Sequence, residues 1–126
     1  MKRHNARTKA MTATYQYLLV ERDVEELLLD AFETENIADI DSYFVRVVKN
    51  AVAKKDEFAG YIDRVLENWT FDRLGYIEKA ILLNGCSEFD LKEISAAVII
   101  DEAVEMAKAY CDEDTYKLIN RALDVI

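Results

Sequence analysis

No proline occurs anywhere in the 126 residues, and Gly60, Gly75 and Gly85 are the only glycines. A β-sandwich or barrel needs a turn signal every ~8 to 12 residues, so a chain this poor in turn formers is badly suited to either. Helices need only a cap at each end, and an all-α fold is the expectation. With 52% of its residues hydrophobic, the chain has enough apolar material for one domain core. No stretch approaches the ~18 uninterrupted apolar residues that span a bilayer. The amino terminus shows no apolar segment followed by a small-residue cleavage site, so the expected location is cytoplasmic, with no membrane partner. Cys86 and Cys111 lie far apart without a companion, which excludes a CxxC redox pair or zinc knuckle and favours two buried thiols.

Apolar periodicity divides the chain into about seven helices. Ala6, Ala10, Ala13 and Tyr17 share one face of a first helix over about Arg3 to Val20, with Arg3 and Arg7 on another face. A second, from Val24 to Phe32, turns Val24, Leu27, Leu28 and Ala31 inward and leaves its acids in water. Asp39, Asp41 and Ser42 offer cap oxygens for a third helix reaching about Lys55, whose buried stripe is Phe44, Val47, Val48, Ala51 and Val52. Asp56 punctuates. A fourth, from about Glu57 to Asn68, carries Phe58, Tyr61, Ile62, Val65, Leu66 and Trp69, with Gly60 offering a close helix contact. The fifth contains Leu74, Ile77, Ala80, Ile81 and Cys86 and reaches about Glu88. Ser95 caps a sixth containing Ala96, Ile100, Ala103, Ala107 and Tyr110. The acid run Asp112 to Asp114 suits the positive end of a seventh, with core residues Ile119, Ala122, Leu123 and Ile126.

The catalytic inventory is thin. His4 is the only histidine, no GxSxG turn or glycine-rich phosphate loop exists, and Asp101, Glu102 and Glu105 lack the Glu-x-x-His spacing of a di-iron bundle. No enzyme, metal site or cofactor is expected. Charge is more informative. The formal net charge of −9 opposes nucleic acid, yet Lys2, Arg3, Arg7 and Lys9 fall in a first segment of 20 residues that holds no acid, while residues 21–41 hold nine acids against Arg22. Basic side chains that neutralise phosphates gain affinity by counterion release even on an acidic body. Lys117 and Arg121, one turn apart in the last helix, would enlarge the patch if that helix packs beside the first. Tyr15 and Tyr17 are candidates for stacking bases.

The sequence as a whole resembles the NusB family of bacterial transcription antitermination factors. The resemblance is carried by Ala6-Arg7 with Ala10, Ala13 and Tyr15-Gln16, by Asp41-Ser42-Tyr43-Phe44, and by Asp72-Arg73-Leu74 with Glu78-Lys79-Ala80-Ile81-Leu82. Its strongest segment is Val98-Ile99-Ile100-Asp101-Glu102-Ala103-Val104-Glu105-Met106-Ala107-Lys108, followed by Asp114, Ile119-Asn120 and Leu123-Asp124. It implies one domain over residues 1–126 with two packed helical subdomains, and a non-catalytic protein that joins the ribosomal protein NusE on boxA-like single-stranded RNA in nascent ribosomal transcripts, within the transcription elongation complex. By resemblance, Lys2, Arg3, Arg7, Asp114, Lys117 and Leu118 hold RNA, with Arg121 added from the charge pattern, and Tyr15 and Glu88 face the protein partner. The chain departs from the family pattern at His4 and Asn5, where arginines are usual, and at Leu118, where a phenylalanine able to stack a base is expected. The substituted arginines and the net charge support a competing expectation, an acidic helical interaction module or homodimer with little RNA affinity of its own.

Overall fold

The computed structural model describes residues 1–126 and contains seven α-helices and no strands. They are α1 (Arg3–Val20), α2 (Val24–Phe32), α3 (Ser42–Ala53), α4 (Lys55–Val65), α5 (Tyr76–Leu91), α6 (Ala96–Tyr110) and α7 (Thr115–Val125), with single 3-10 turns at Ile37–Asp39 and Phe71–Arg73. The expected caps form at Asp41, whose carboxylate accepts from the Tyr43 N–H at 3.0 Å, and at Ser95, which accepts from Val98. Asp39 is spent elsewhere, accepting from the Thr34 hydroxyl.

Three boundaries differ from expectation. The break between α3 and α4 falls at Lys54 alone, which caps both, so α3 stops at Ala53 and α4 begins before Asp56. Leu66 is extended, which ends α4 early and puts Trp69 in the connection to α5, 46% exposed instead of on the inward stripe. The fifth helix runs to Leu91, past Glu88. With so few glycines, the chain enters left-handed backbone at Glu21, Glu33, Asn68, Lys92 and Asp114, and at no glycine. Glu21, Glu33 and Lys92 each close a helix this way, their N–H groups capping preceding carbonyls.

Two apolar cores result. Ala6, Ala10 and Ala13 of α1 pack with Leu28 of α2 and with Tyr43, Phe44, Val47 and Val48 of α3. The second core joins Phe58 and Ile62 of α4 to Ala80–Leu83 of α5, Met106 of α6 and Ile119 and Leu123 of α7, and Met11 of α1 and Ala51 of α3 reach into it. These are the two helical subdomains that the resemblance implied. Helix α5 is the axis, buried without a break from Ala80 to Glu88, as a helix surrounded on all sides must be.

Burying that run encloses Asn84, Ser87 and Glu88, and each polar group needs a partner. The Thr14 hydroxyl donates to Asn84 Oδ1 at 2.7 Å, and Ser87 donates to the Val47 carbonyl at 2.7 Å. Only Asn84 Nδ2 is left without one. Close helix contact is made by Gly85, where a Cβ would lie 3.0 Å from Leu123 Cδ2, whereas nothing lies within 4 Å of a Cβ at Gly60. The role expected of Gly60 therefore belongs to Gly85. Gly60→Ala should raise stability by roughly 0.5–1 kcal/mol, read as a higher midpoint in urea; an unchanged or lower midpoint contradicts the open space around Gly60.

Both cysteines are free. Cys86 is buried, and burial pushes its thiol up to about 12. Cys111 is only half-buried, and burial, followed by the nearby charges of Glu78 and Asp112, pushes it up to about 11.

Candidate nucleic-acid interface

The first turn of α1 contains no acid, so the positive end of its dipole is uncompensated from within the helix. Lys2 and Arg3 stand at that end, both exposed. Arg3 donates through Nε to Asp41 Oδ2 at 3.1 Å, and its guanidinium lies 4.9 Å from the centre of the Tyr43 ring. Half of its side-chain surface stays in water.

One turn further along, Arg7 has a different fate. It is 4% exposed, and its guanidinium forms a fork on Glu88, itself 2% exposed, with Nε to Oε2 at 2.9 Å and Nη2 to Oε1 at 2.7 Å. The Tyr43 hydroxyl donates to the same Oε1 at 2.8 Å, and the Phe44 ring lies 5.2 Å from the guanidinium carbon. Burial alone would lower the Arg7 pKa, but the hydrogen bonds and charge of Glu88 outweigh it and leave it raised. Burial, reinforced by the charge of Glu88, holds the Tyr43 phenol well above its ordinary value. Arg7 was expected on the RNA face and Glu88 on the partner face. Both are corrected to the interior, where they tie α1 and α3 to α5.

The other bases of the first segment are also engaged, His4 with Glu102 at 2.8 Å and Lys9 with Glu33 at 4.0 Å. The segment is free of acids in sequence but not in space, because carboxylates from elsewhere fold against it. Lys2 alone among its bases has no carboxylate within 4.0 Å.

The second candidate region is the start of α7. Asp114 precedes the helix in left-handed backbone and makes no side-chain cap. It accepts instead from Lys117 Nζ at 3.2 Å, and that hydrogen bond, with the accompanying charge, raises the Lys117 pKa. Arg121 pairs with Glu67 at 3.1 Å. Leu118 is half-buried and lies between two grooves of 330 and 270 Å³. Helix α7 packs on α6, α5 and α4, and α1 on α2, α5 and α3, so the single enlarged patch that Lys117 and Arg121 were expected to make with α1 does not form. The cations occupy two regions on different subdomains. Tyr15 is half-buried against the carboxy-terminal core.

Sequence reading missed an aromatic and cationic cluster around the α4–α5 connection. Arg73 lies 4.9 Å from the Trp69 ring centre, and Lys79 lies 5.1 Å from that of Tyr76, which is 47% exposed. Neither base has a carboxylate within 4.0 Å. The signal that could have found it is Asn68, a residue tolerant of left-handed backbone, immediately before Trp69. No three His, Cys, Asp or Glu side chains are arranged to hold a metal ion, and no helix is long and apolar enough to cross a membrane.

The NusB family model matches residues 4–126. The transcription antitermination protein NusB of Listeria welshimeri is 33% identical over 124 residues, spanning 98% of this chain and 94% of the relative. That of Nitratiruptor sp. is 33% identical over 125 residues, spanning 98% and 90%. Among solved structures, NusB of T. maritima superposes with a TM-score of 0.86 at 26% identity, covering 99% of this chain and 89% of that one. A chain in the complex of the antitermination factors NusB and NusE with double-stranded RNA superposes with a TM-score of 0.83 at 28% identity, covering 98% and 93%. These relatives are named for transcription antitermination and not for a catalysed reaction. The agreement of sequence and fold along the whole length places this chain in the NusB family of transcription antitermination proteins.

Proposed function

We propose that the chain binds boxA-like single-stranded elements of nascent ribosomal RNA together with the ribosomal protein NusE, within the transcription elongation complex. The observation that supports this reading is the match, over 98% of the chain, to a protein solved with NusE and double-stranded RNA; the single-stranded boxA-like element is what the family resemblance implies. Lys2 and Arg3 meet phosphates at the positive end of α1, while Asp114, Lys117, Leu118 and Arg121 form a second contact at the start of α7. Tyr15 is the partner-facing residue that remains at the surface. Exposed pairs such as Arg3–Asp41, Lys117–Asp114 and Arg121–Glu67 are worth about 0–1 kcal/mol each, so their bases can exchange a carboxylate for a phosphate at small cost. The buried Arg7–Glu88 pair cannot.

Because most bases already hold a carboxylate, RNA affinity is weak in the isolated chain and rises when NusE adds its own surface. Fluorescence anisotropy of a labelled boxA-like single strand, with and without NusE, tests this. Tighter binding in the presence of NusE is the expected result; no binding in either condition at low salt overturns the reading.

The same pairing favours the second reading, an acidic interaction module or homodimer with little RNA affinity. Capture of NusE with no effect of RNA on the assembly, or a dimer that covers α1, would select it.

A further inference from the structure

We propose that Trp69 is a base-stacking residue and that the 270 Å³ groove between it and the first two turns of α7 receives one unpaired RNA base. The inference rests on the RNA-binding reading above and deepens it. Trp69 is the only tryptophan in the chain, and it stands 46% exposed at the α4–α5 connection, outside both cores. Trp69, Asp114 and Leu118 line both grooves and so form the wall between them. Arg73, 4.9 Å from the indole, lines the first groove and not the second.

The contents of the second groove select a base rather than a phosphate. Leu118 and the indole supply apolar surface, and stacking on an aromatic ring is the usual way a protein holds an unpaired base. Glu67, Asp114 and the Asn68 carboxamide provide acceptors of the kind that exocyclic amino groups seek. Each of the two carboxylates already holds one of the groove's two bases, so the groove has no net positive charge with which to draw in a bare phosphate. Lys117 and Arg121 line the same groove, each paired only with an exposed acid, and they can turn to the phosphates flanking the inserted base. A base held in an intact duplex has no free face to offer, so the occupant is single-stranded. Trp69 thus supplies the aromatic surface that Leu118 lacks.

The test uses the full chain with NusE and a boxA-like single strand. Trp69→Ala should weaken RNA binding by roughly 5- to 100-fold, with helicity unchanged because the indole lies outside the cores. Trp69→Phe should restore most of the affinity, and the salt slope should not move, since no phosphate contact is lost. In the wild-type complex, tryptophan emission should be quenched on adding RNA, with the Trp69→Ala complex as the blank. Wild-type affinity in Trp69→Ala, or unmoved emission while anisotropy reports binding, overturns the inference. An emission change produced by NusE alone, with none added by RNA, also overturns it and assigns the groove to a protein partner. Failure of the wild type to bind RNA at all defeats the parent reading, and this one with it, so the two failures are distinguishable.

Discussion

Glu88→Ala is expected to lower the free energy of unfolding by about 3–5 kcal/mol, because removing one member of a buried ion pair strands the other charge away from water. Arg7 is the stranded partner, 4% exposed and deprived of both hydrogen bonds, while the Tyr43 hydroxyl loses its acceptor in the same step. The pair joins α1 to α5, and Tyr43 brings in α3, so the loss falls on the junction of three helices. Urea unfolding should show a lower midpoint at an unchanged slope. Replacing both charges together, Arg7→Met with Glu88→Leu, should cost far less or even stabilise, since the desolvation penalty disappears with the charges. A Glu88→Ala protein within about 1 kcal/mol of the wild type would mean that the pair is effectively solvated.

Lys2→Glu combined with Arg3→Glu is expected to leave helicity intact and to weaken RNA binding by the assembly with NusE. Both side chains are exposed, and the one ion pair at risk, Arg3 with Asp41, is a surface pair. If each base neutralises one phosphate of a single strand, losing both should flatten the plot of log affinity against log salt by about 1.4. Lys55→Glu is the control, the same reversal made at one base far from either candidate region in the sequence, and it should leave the slope alone. An unchanged slope in the double variant would remove the start of α1 from the RNA path. Arg7→Glu cannot serve in such a test, since it would set a second carboxylate against Glu88 in the interior and lose RNA binding by unfolding the chain.

The helices were legible because their signals are local. Apolar spacing, the Asp41 and Ser95 caps and the shortage of turn formers all act within a few residues, and each reappears in the structure. The ends of α4 and α5 were less legible, since Leu66 and Trp69 continue the apolar period after the helix has stopped. Periodicity alone does not distinguish a buried indole from an exposed one. The site was harder still, because its electrostatics depend on residues far apart in sequence. Nothing in the first segment reveals that Arg7 will meet Glu88 across 81 positions, or that His4 will meet Glu102 across 98. An amphipathic helix with arginines one turn apart looks like a cationic face until the partners of each arginine are known. Glu88 likewise reads as a surface acid on a helix end and becomes interior only because α5 continues to Leu91 and is enclosed on all sides.

Amide hydrogen exchange, comparing the free chain with the same chain bound to NusE and a boxA-like single strand, asks most directly where the RNA rests. The amides of Arg3 to Asn5 at the start of α1 have no hydrogen-bond partner and exchange fast when free, and those of Thr115 and Lys117 at the start of α7 are held only by single turn bonds to the Asp112 and Asp114 carbonyls. Binding should slow exchange over residues 2–5 and 114–118 and around Trp69, in excess of whatever NusE alone produces, and leave the core of α5 near Glu88 unchanged. RNA that binds yet leaves those segments exchanging at the free rate would contradict a transcript path across the starts of α1 and α7.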